Sequence, residues 1–168
     1  MPTDDPFWKL RVPDPIPPDE LCSCTDAPPL LLRTAFGPCP VACSRCNLEL
    51  RPEALAPSAE LVDNLASWRD FYGAFYALWL DSEEFETWAR SQLADPTGPA
   101  NVRGLALRSQ LELNHRKTYY WWFQDTGTDD FEALAACPVC RSRLVDRGLV
   151  GLVCDACSVL VANSGWRA

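Results

Sequence analysis

The feature that most constrains this chain is the spacing of its last four cysteines: Cys137-Pro138-Val139-Cys140, then thirteen residues, then Cys154-Asp155-Ala156-Cys157. Each C-x-x-C turn presents two sulfurs to one ion, and an interval of this length holds two short strands, which is the spacing of a zinc ribbon. Arg143 to Asp146 and Leu149 to Val153 are the expected strands, with Arg147-Gly148 where a hairpin must reverse. Val159 to Asn163 adds a third strand, and Trp166 is placed to cover one face of a module too small for a core of its own. Four thiolates fill all four positions of a tetrahedral ion, so the expected role is a folding staple rather than a catalytic metal with an open position.

The chain holds nine cysteines, and five precede this ribbon: Cys22 and Cys24 as C-x-C, Cys39, and Cys43 with Cys46 as C-x-x-C. Cys22, Cys24, Cys43 and Cys46 form the expected second site. The C-x-x-C turn is a half-site by itself, and the C-x-C pair lies across an apolar stretch from it. Cys39, in Gly37-Pro38-Cys39-Pro40, either replaces one of the C-x-C pair or is a small buried thiol. Two structural zinc ions are therefore expected, although four-thiolate spacing also suits iron. Thiols in this number fit metal ligation in a reducing compartment, and MPTDDPFWKL has no basic-then-apolar signal pattern, so a cytoplasmic protein is expected. The longest apolar run, Phe71 to Leu80, is far shorter than the roughly 20 residues of a membrane span, and no membrane partner is expected.

Three segments follow. Residues 1–56 are rich in proline and predict loops and short strands organised by metal, with Leu30 to Phe36 as the strand candidate. Residues 57–136 are mostly helical. Leu61, Leu65, Trp68, Tyr72, Phe75 and Trp79 recur at three- and four-residue steps after Pro57-Ser58. Asp81-Ser82 predicts a second helix start with Phe85, Trp88 and Leu93 on one apolar stripe, stopping before Pro96. A third helix is expected from Val102 to Arg116, carrying Leu105, Leu107, Leu111 and Leu113. Thr118 to Phe123, TYYWWF, reads as a strand. Residues 137–168 are the ribbon. The fold expected is α+β, an aromatic-rich helical centre flanked by two four-cysteine modules.

The order C-x-C, apolar strand, C-x-x-C, aromatic helices, a TYY-type strand, and C-P-x-C with C-x-x-C ending near a Trp resembles a bacterial family of zinc-ribbon-containing proteins of unknown function. That family is described as a nucleic-acid-binding candidate. The resemblance spans residues 20–168 and rests on CPVC at 137–140, CDAC at 154–157, TYYWWF at 118–123 and Trp166. It implies the two-site zinc architecture. Typical members are longer at the N-terminus, and their knuckles often end in Gly where this chain has Arg141 and Ser158.

Charge sorts the partners. The formal total is −8, with −3 in residues 1–56, −6 in 57–101 and +1 in 102–168. Two four-thiolate zinc sites would bring the total to about −12. An acidic chain grips nucleic acid only through a local basic patch. Arg116 and Lys117 beside Tyr120 and Trp122, joined by Arg141, Arg143 and Arg147, are the candidate contacts, with Arg167 a further basic residue of the ribbon. Alternation places Tyr119, Trp121 and Phe123 on one face of the strand and Tyr120 and Trp122 on the other, and one face joins the core. The acidic 57–101 segment favours a basic protein partner, with an inhibitor or immunity-type role as one form, over a phosphate backbone. His115 is the sole histidine. Asp129, Asp130 and Glu132 lack ligand spacing, and no glycine-rich phosphate loop occurs, so no enzyme is expected.

Overall fold

A computed structural model describes residues 5–10, 16–34, 39–55, 57–114, 116–126 and 131–163. The expectations placed on Phe36, Gly37-Pro38, His115, Asp129, Asp130, Trp166 and Arg167 lie outside the described residues. The elements are β1 (Leu30–Leu32), β2 (Val41–Cys43), α1 (Ala59–Asp81), α2 (Glu86–Ala94), α3 (Pro99–Asn114), β3 (Thr118–Trp121), β4 (Val145–Asp146), β5 (Leu152–Cys154) and β6 (Val159–Val161). Short 3-10 turns occur at Trp8–Leu10, Pro18–Glu20 and Pro52–Leu55. The fold is α+β.

One six-stranded sheet, in the order β2-β1-β3-β6-β5-β4, draws strands from all three sequence segments. Its centre is parallel: Leu31 pairs with Tyr119, and Tyr120 with Val159. The outer pairings are antiparallel, β2 on β1 and then β5 on β6 and β4 on β5. Central parallel strands are covered on both faces and read as unbroken apolar runs, which is why LLL and VLV show no polar alternation. Leu30, Leu32, Tyr120, Val159 and Val161 enter the large core beneath the helices. Leu31, Tyr119, Val153 and Leu160 form a smaller core on the other face, with Trp121, Leu149 and Val150 against it.

Helix α1 starts where the sequence predicts. Ser58 caps it, its Oγ accepting the Leu61 N–H at 3.2 Å. Leu61, Leu65, Trp68 and Tyr72 are buried, and Tyr76 and Trp79 stack edge-on against Phe123, so the helix is packed by the sheet as well as by its neighbours α2 and α3. A buried polar relay fixes these layers. Trp68 Nε1 donates to the Ala100 carbonyl at 2.9 Å, and Tyr120 donates its hydroxyl to Asn101 Oδ1 at 2.8 Å. Asn101 Nδ2 donates onward to the carbonyls of Leu93 and Asp95. Each buried polar group in the relay finds a partner, so burial does not leave it costly.

Two helix expectations are corrected. Asp81 closes α1 rather than opening α2, because Glu83 takes a left-handed φ of +52° that breaks the helical path. Ser82 Oγ then accepts the Phe85 N–H, and α2 begins at Glu86. The anticipated apolar stripe of α2 is buried only at Ala89 and Leu93, and Phe85 and Trp88 are about half exposed, 48% and 49%. Helix α3 begins at Pro99 instead of Val102, since proline's fixed φ and missing N–H suit a first helical turn. Its Leu113 faces solvent.

Candidate metal centres

Cys22, Cys24, Cys43 and Cys46 converge at one place and Cys137, Cys140, Cys154 and Cys157 at another, with the four Sγ atoms of each group within 4.8 Å of one another. A tetrahedral ion with metal–sulfur bonds of about 2.3 Å needs sulfurs about 3.8 Å apart, and Cys140 and Cys154 already stand at 3.5 Å. The residues therefore fit a four-thiolate metal ion at each site.

Local backbone geometry builds these half-sites. Cys43 ends β2, and the chain turns so that Asn47 N–H donates to the Cys43 carbonyl at 2.9 Å while Arg45 N–H reaches the Cys43 sulfur at 3.4 Å. The knuckle at Cys137 repeats the first of these bonds: Arg141 N–H donates to the Cys137 carbonyl at 2.9 Å. The residue after each C-x-x-C is left-handed, with φ of +61° at Asn47, +63° at Arg141 and +52° at Ser158. Glycine is favoured at such positions, which explains the departure at Arg141 and Ser158: the conformation is kept and the side chain is tolerated. Cys22 is brought in by a bridge between Leu21 and Glu49, its N–H donating to the Glu49 carbonyl at 2.9 Å.

Register puts both centres at one end of the sheet. Cys43 pairs with Leu30, the first residue of β1, and Cys154 with Val159, the first residue of β6. Because β1, β3 and β6 run parallel, both sites sit where these three strands begin.

The thiols are electrostatically unequal without metal. Hydrogen bonds from Ser142 hold Cys140 down at about 6, whereas burial pushes Cys154 and Cys157 up. Cys43 is also lowered, burial being outweighed by the backbone N–H groups of Cys46 and Arg45, while burial raises Cys24 and lifts Cys46 to about 12. A bound cation would displace the remaining protons, so acid opposes metal retention. Cys39 belongs to neither group. It is buried, its Sγ lies 3.7 Å from the Val41 carbonyl, and burial raises its thiol to about 11.

The residues expected to contact nucleic acid fall in different environments. Tyr120 and Trp122 are core residues, 0% and 2% exposed, and the face holding them lies under the helices because the β1–β3–β6 register turns it that way. That corrects their assignment as stacking rings. Lys117 Nζ donates to Ser158 Oγ at 2.6 Å and pairs with Glu112 at 3.2 Å. Arg147 pairs with Asp155 at 2.6 Å, and Asp155 also accepts the Tyr119 hydroxyl at 3.0 Å. Arg116 is half-buried, and Arg141 and Arg143 are exposed. The role of Asp155, between the two cysteines of its knuckle, has no motif in the sequence because its partners are 36 residues and 8 residues away along the chain.

Family models, curated proteins and solved structures all yield no match to this chain. Among the described residues, no helix is long and apolar enough to cross a membrane.

Proposed function

We propose that this is a non-enzymatic, cytoplasmic zinc-binding protein in which two structural Zn²⁺ ions hold a platform for a protein partner. The observation that carries the metal role is the all-cysteine composition of both sites, since four thiolates suit zinc, as they also suit iron, and leave no position for substrate. The protein-partner reading draws on the distribution of charge. Lys117 and Arg147 spend their charge on Glu112 and Asp155, whereas Asp81, Glu83, Glu84 and Glu86 are exposed and, among the described residues, form no ion pair. An inhibitor or immunity-type role toward a basic protein is one form this reading takes. The likeness to the bacterial zinc-ribbon family enters the proposal only through its shared order of cysteine pairs and aromatic strand.

The test is metal analysis of protein purified without added metal, beside binding to single-stranded and duplex nucleic acid across a salt series. Two zinc ions per chain and no salt-sensitive binding are expected. Tight binding that weakens steeply with salt would instead make Arg116, Arg141 and Arg143 phosphate contacts and favour the nucleic-acid alternative. Iron in place of zinc would overturn the cofactor assignment.

A further inference from the structure

We infer that the partner contacts the outer surface of the α1–α2 hairpin, and that the contacting segment is amphipathic and basic. This rests on the protein-partner reading above and deepens it to a place and a chemistry.

Four groups form a continuous ladder across three helices. Trp88 of α2 lies 5.7 Å from Phe75 of α1, Phe75 lies 5.2 Å from Phe71, and the Arg103 guanidinium of α3 sits 4.4 Å over the Phe71 ring. The core uses only part of this ladder: Phe71 and Phe75 are half-buried, and Trp88 and Phe85, the residue just before α2, keep about half of their surface in water. Aromatic rings held by ring-to-ring contacts lose little freedom on binding, and a desolvated Trp is the commonest kind of anchor at a protein interface.

The turn beside the ladder is acidic; of the nearby cations, Arg103 lies on the Phe71 ring and Arg90 pairs with Asp125 at 3.7 Å. Asp81, Glu83, Glu84 and Glu86 stand within six residues in the turn that delivers Phe85, all exposed. Glu83 in this turn is left-handed, with φ of +52°. Residues 57–101 as a whole carry eight acids against two arginines, a net −6. An apolar strip with an acidic border matches a helix whose apolar stripe is flanked by Lys or Arg, and rejects a phosphate backbone or an acidic peptide by like-charge repulsion.

The test uses the intact metal-loaded chain and a fluorescently labelled helical peptide, about four turns long, with a leucine stripe and a lysine face. Its counterpart carries glutamate for lysine. Binding of the lysine peptide is expected, with the glutamate peptide weaker by at least about tenfold. The double variant Phe85→Ala/Trp88→Ala should lose at least about tenfold in affinity at unchanged metal content and helical circular dichroism. Glu83→Lys/Glu84→Lys, at two exposed positions, should lose as much and lose it chiefly at low salt.

Equal binding of the two peptides, no binding of either, or an unchanged affinity in both variants would overturn the inference. The broader reading fails differently. A natural protein partner that binds Phe85→Ala/Trp88→Ala as well as wild type sinks the surface and leaves the platform standing. Salt-steep nucleic-acid binding sinks the platform itself.

Discussion

The backbone N–H of Val150 donates to the carbonyl oxygen of Ser44 at 2.9 Å. Ser44 lies inside the Cys43–Cys46 knuckle and Val150 in the hairpin that carries Cys154, so the loop of one metal module is fastened to the turn of the other. Ser44 is fully buried, and its Oγ donates to the Pro29 carbonyl at 2.8 Å, tying the same knuckle to the start of β1. Lys117, just before β3, reaches Ser158 at the far knuckle. The two centres are thus parts of one hydrogen-bonded end of the sheet.

It follows that the sites share stability. Cys154→Ser is expected to cost its own ion and also to speed the chelator-driven release of the remaining one, because freeing the ribbon hairpin removes the Val150 bond from the Ser44 knuckle. Release followed by absorbance of a colorimetric zinc chelator measures this. An unchanged rate at the N-terminal site would mean that the contact carries no coupling.

Two glycines in the helices should respond oppositely to alanine. At Gly104 a Cβ would lie 2.3 Å from Tyr120 Cε2, and that ring is pinned by its bond to Asn101 and its edge contact with Trp68. Gly104→Ala is expected to destabilise by about 1–3 kcal/mol despite the better helix propensity of alanine. At Gly73, within α1, a Cβ meets nothing within 4 Å, and Gly73→Ala is expected to stabilise by about 0.5–1 kcal/mol. Urea midpoints of the metal-loaded chains provide the comparison.

Arg141 is an exposed residue held at φ +63° by the closing turn of the ribbon knuckle. Arg141→Gly should be neutral or stabilising by up to about 1 kcal/mol, and Arg141→Val destabilising by about 1–2 kcal/mol, because a β-branched residue resists the left-handed region. Thermal melts at fixed zinc concentration would read the order Gly, Arg, Val; a valine variant as stable as wild type would contradict it.

Alkali should unfold the chain cooperatively. Burial pushes the hydroxyls of Tyr72 and Tyr120 well above their ordinary value, and burial followed by the Asp155 carboxylate lifts Tyr119 to about 12. Unfolded tyrosine ionises near about pH 10. The folded chain therefore keeps protons that the unfolded chain surrenders, so this stability is fully present below about pH 10 and is lost as pH rises above it. Phenolate absorbance should rise together with the loss of circular dichroism. A tyrosine titration complete near pH 10 with the fold intact would refute the burial argument.

Local chemistry made part of this molecule legible in advance. C-x-x-C turns are short-range objects, so the eight clustered cysteines, the ribbon hairpin and the Ser58 cap of α1 could be read from spacing alone. Even here the boundary of α2 escaped, because an acidic turn that looks like a helix start contains the left-handed Glu83. Spacing also set Cys39 apart as the odd thiol, and its burial outside both sulfur groups agrees with that choice.

By itself the sequence determined which residues could bind metal, where the long helix starts and that a strand would begin at Thr118, though it ends at Trp121 rather than Phe123, since each depends on neighbours a few positions apart. Tertiary structure decided which face of that strand is dry, which cations are already neutralised and that both cysteine centres meet at one end of a single sheet. Those outcomes depend on pairing between distant segments: Leu31 with Tyr119, Trp121 with Leu160 and Lys117 with Ser158. A one-residue shift in such a register would exchange Tyr119 for Tyr120 at the core, and no local pattern in an all-aromatic strand distinguishes the two.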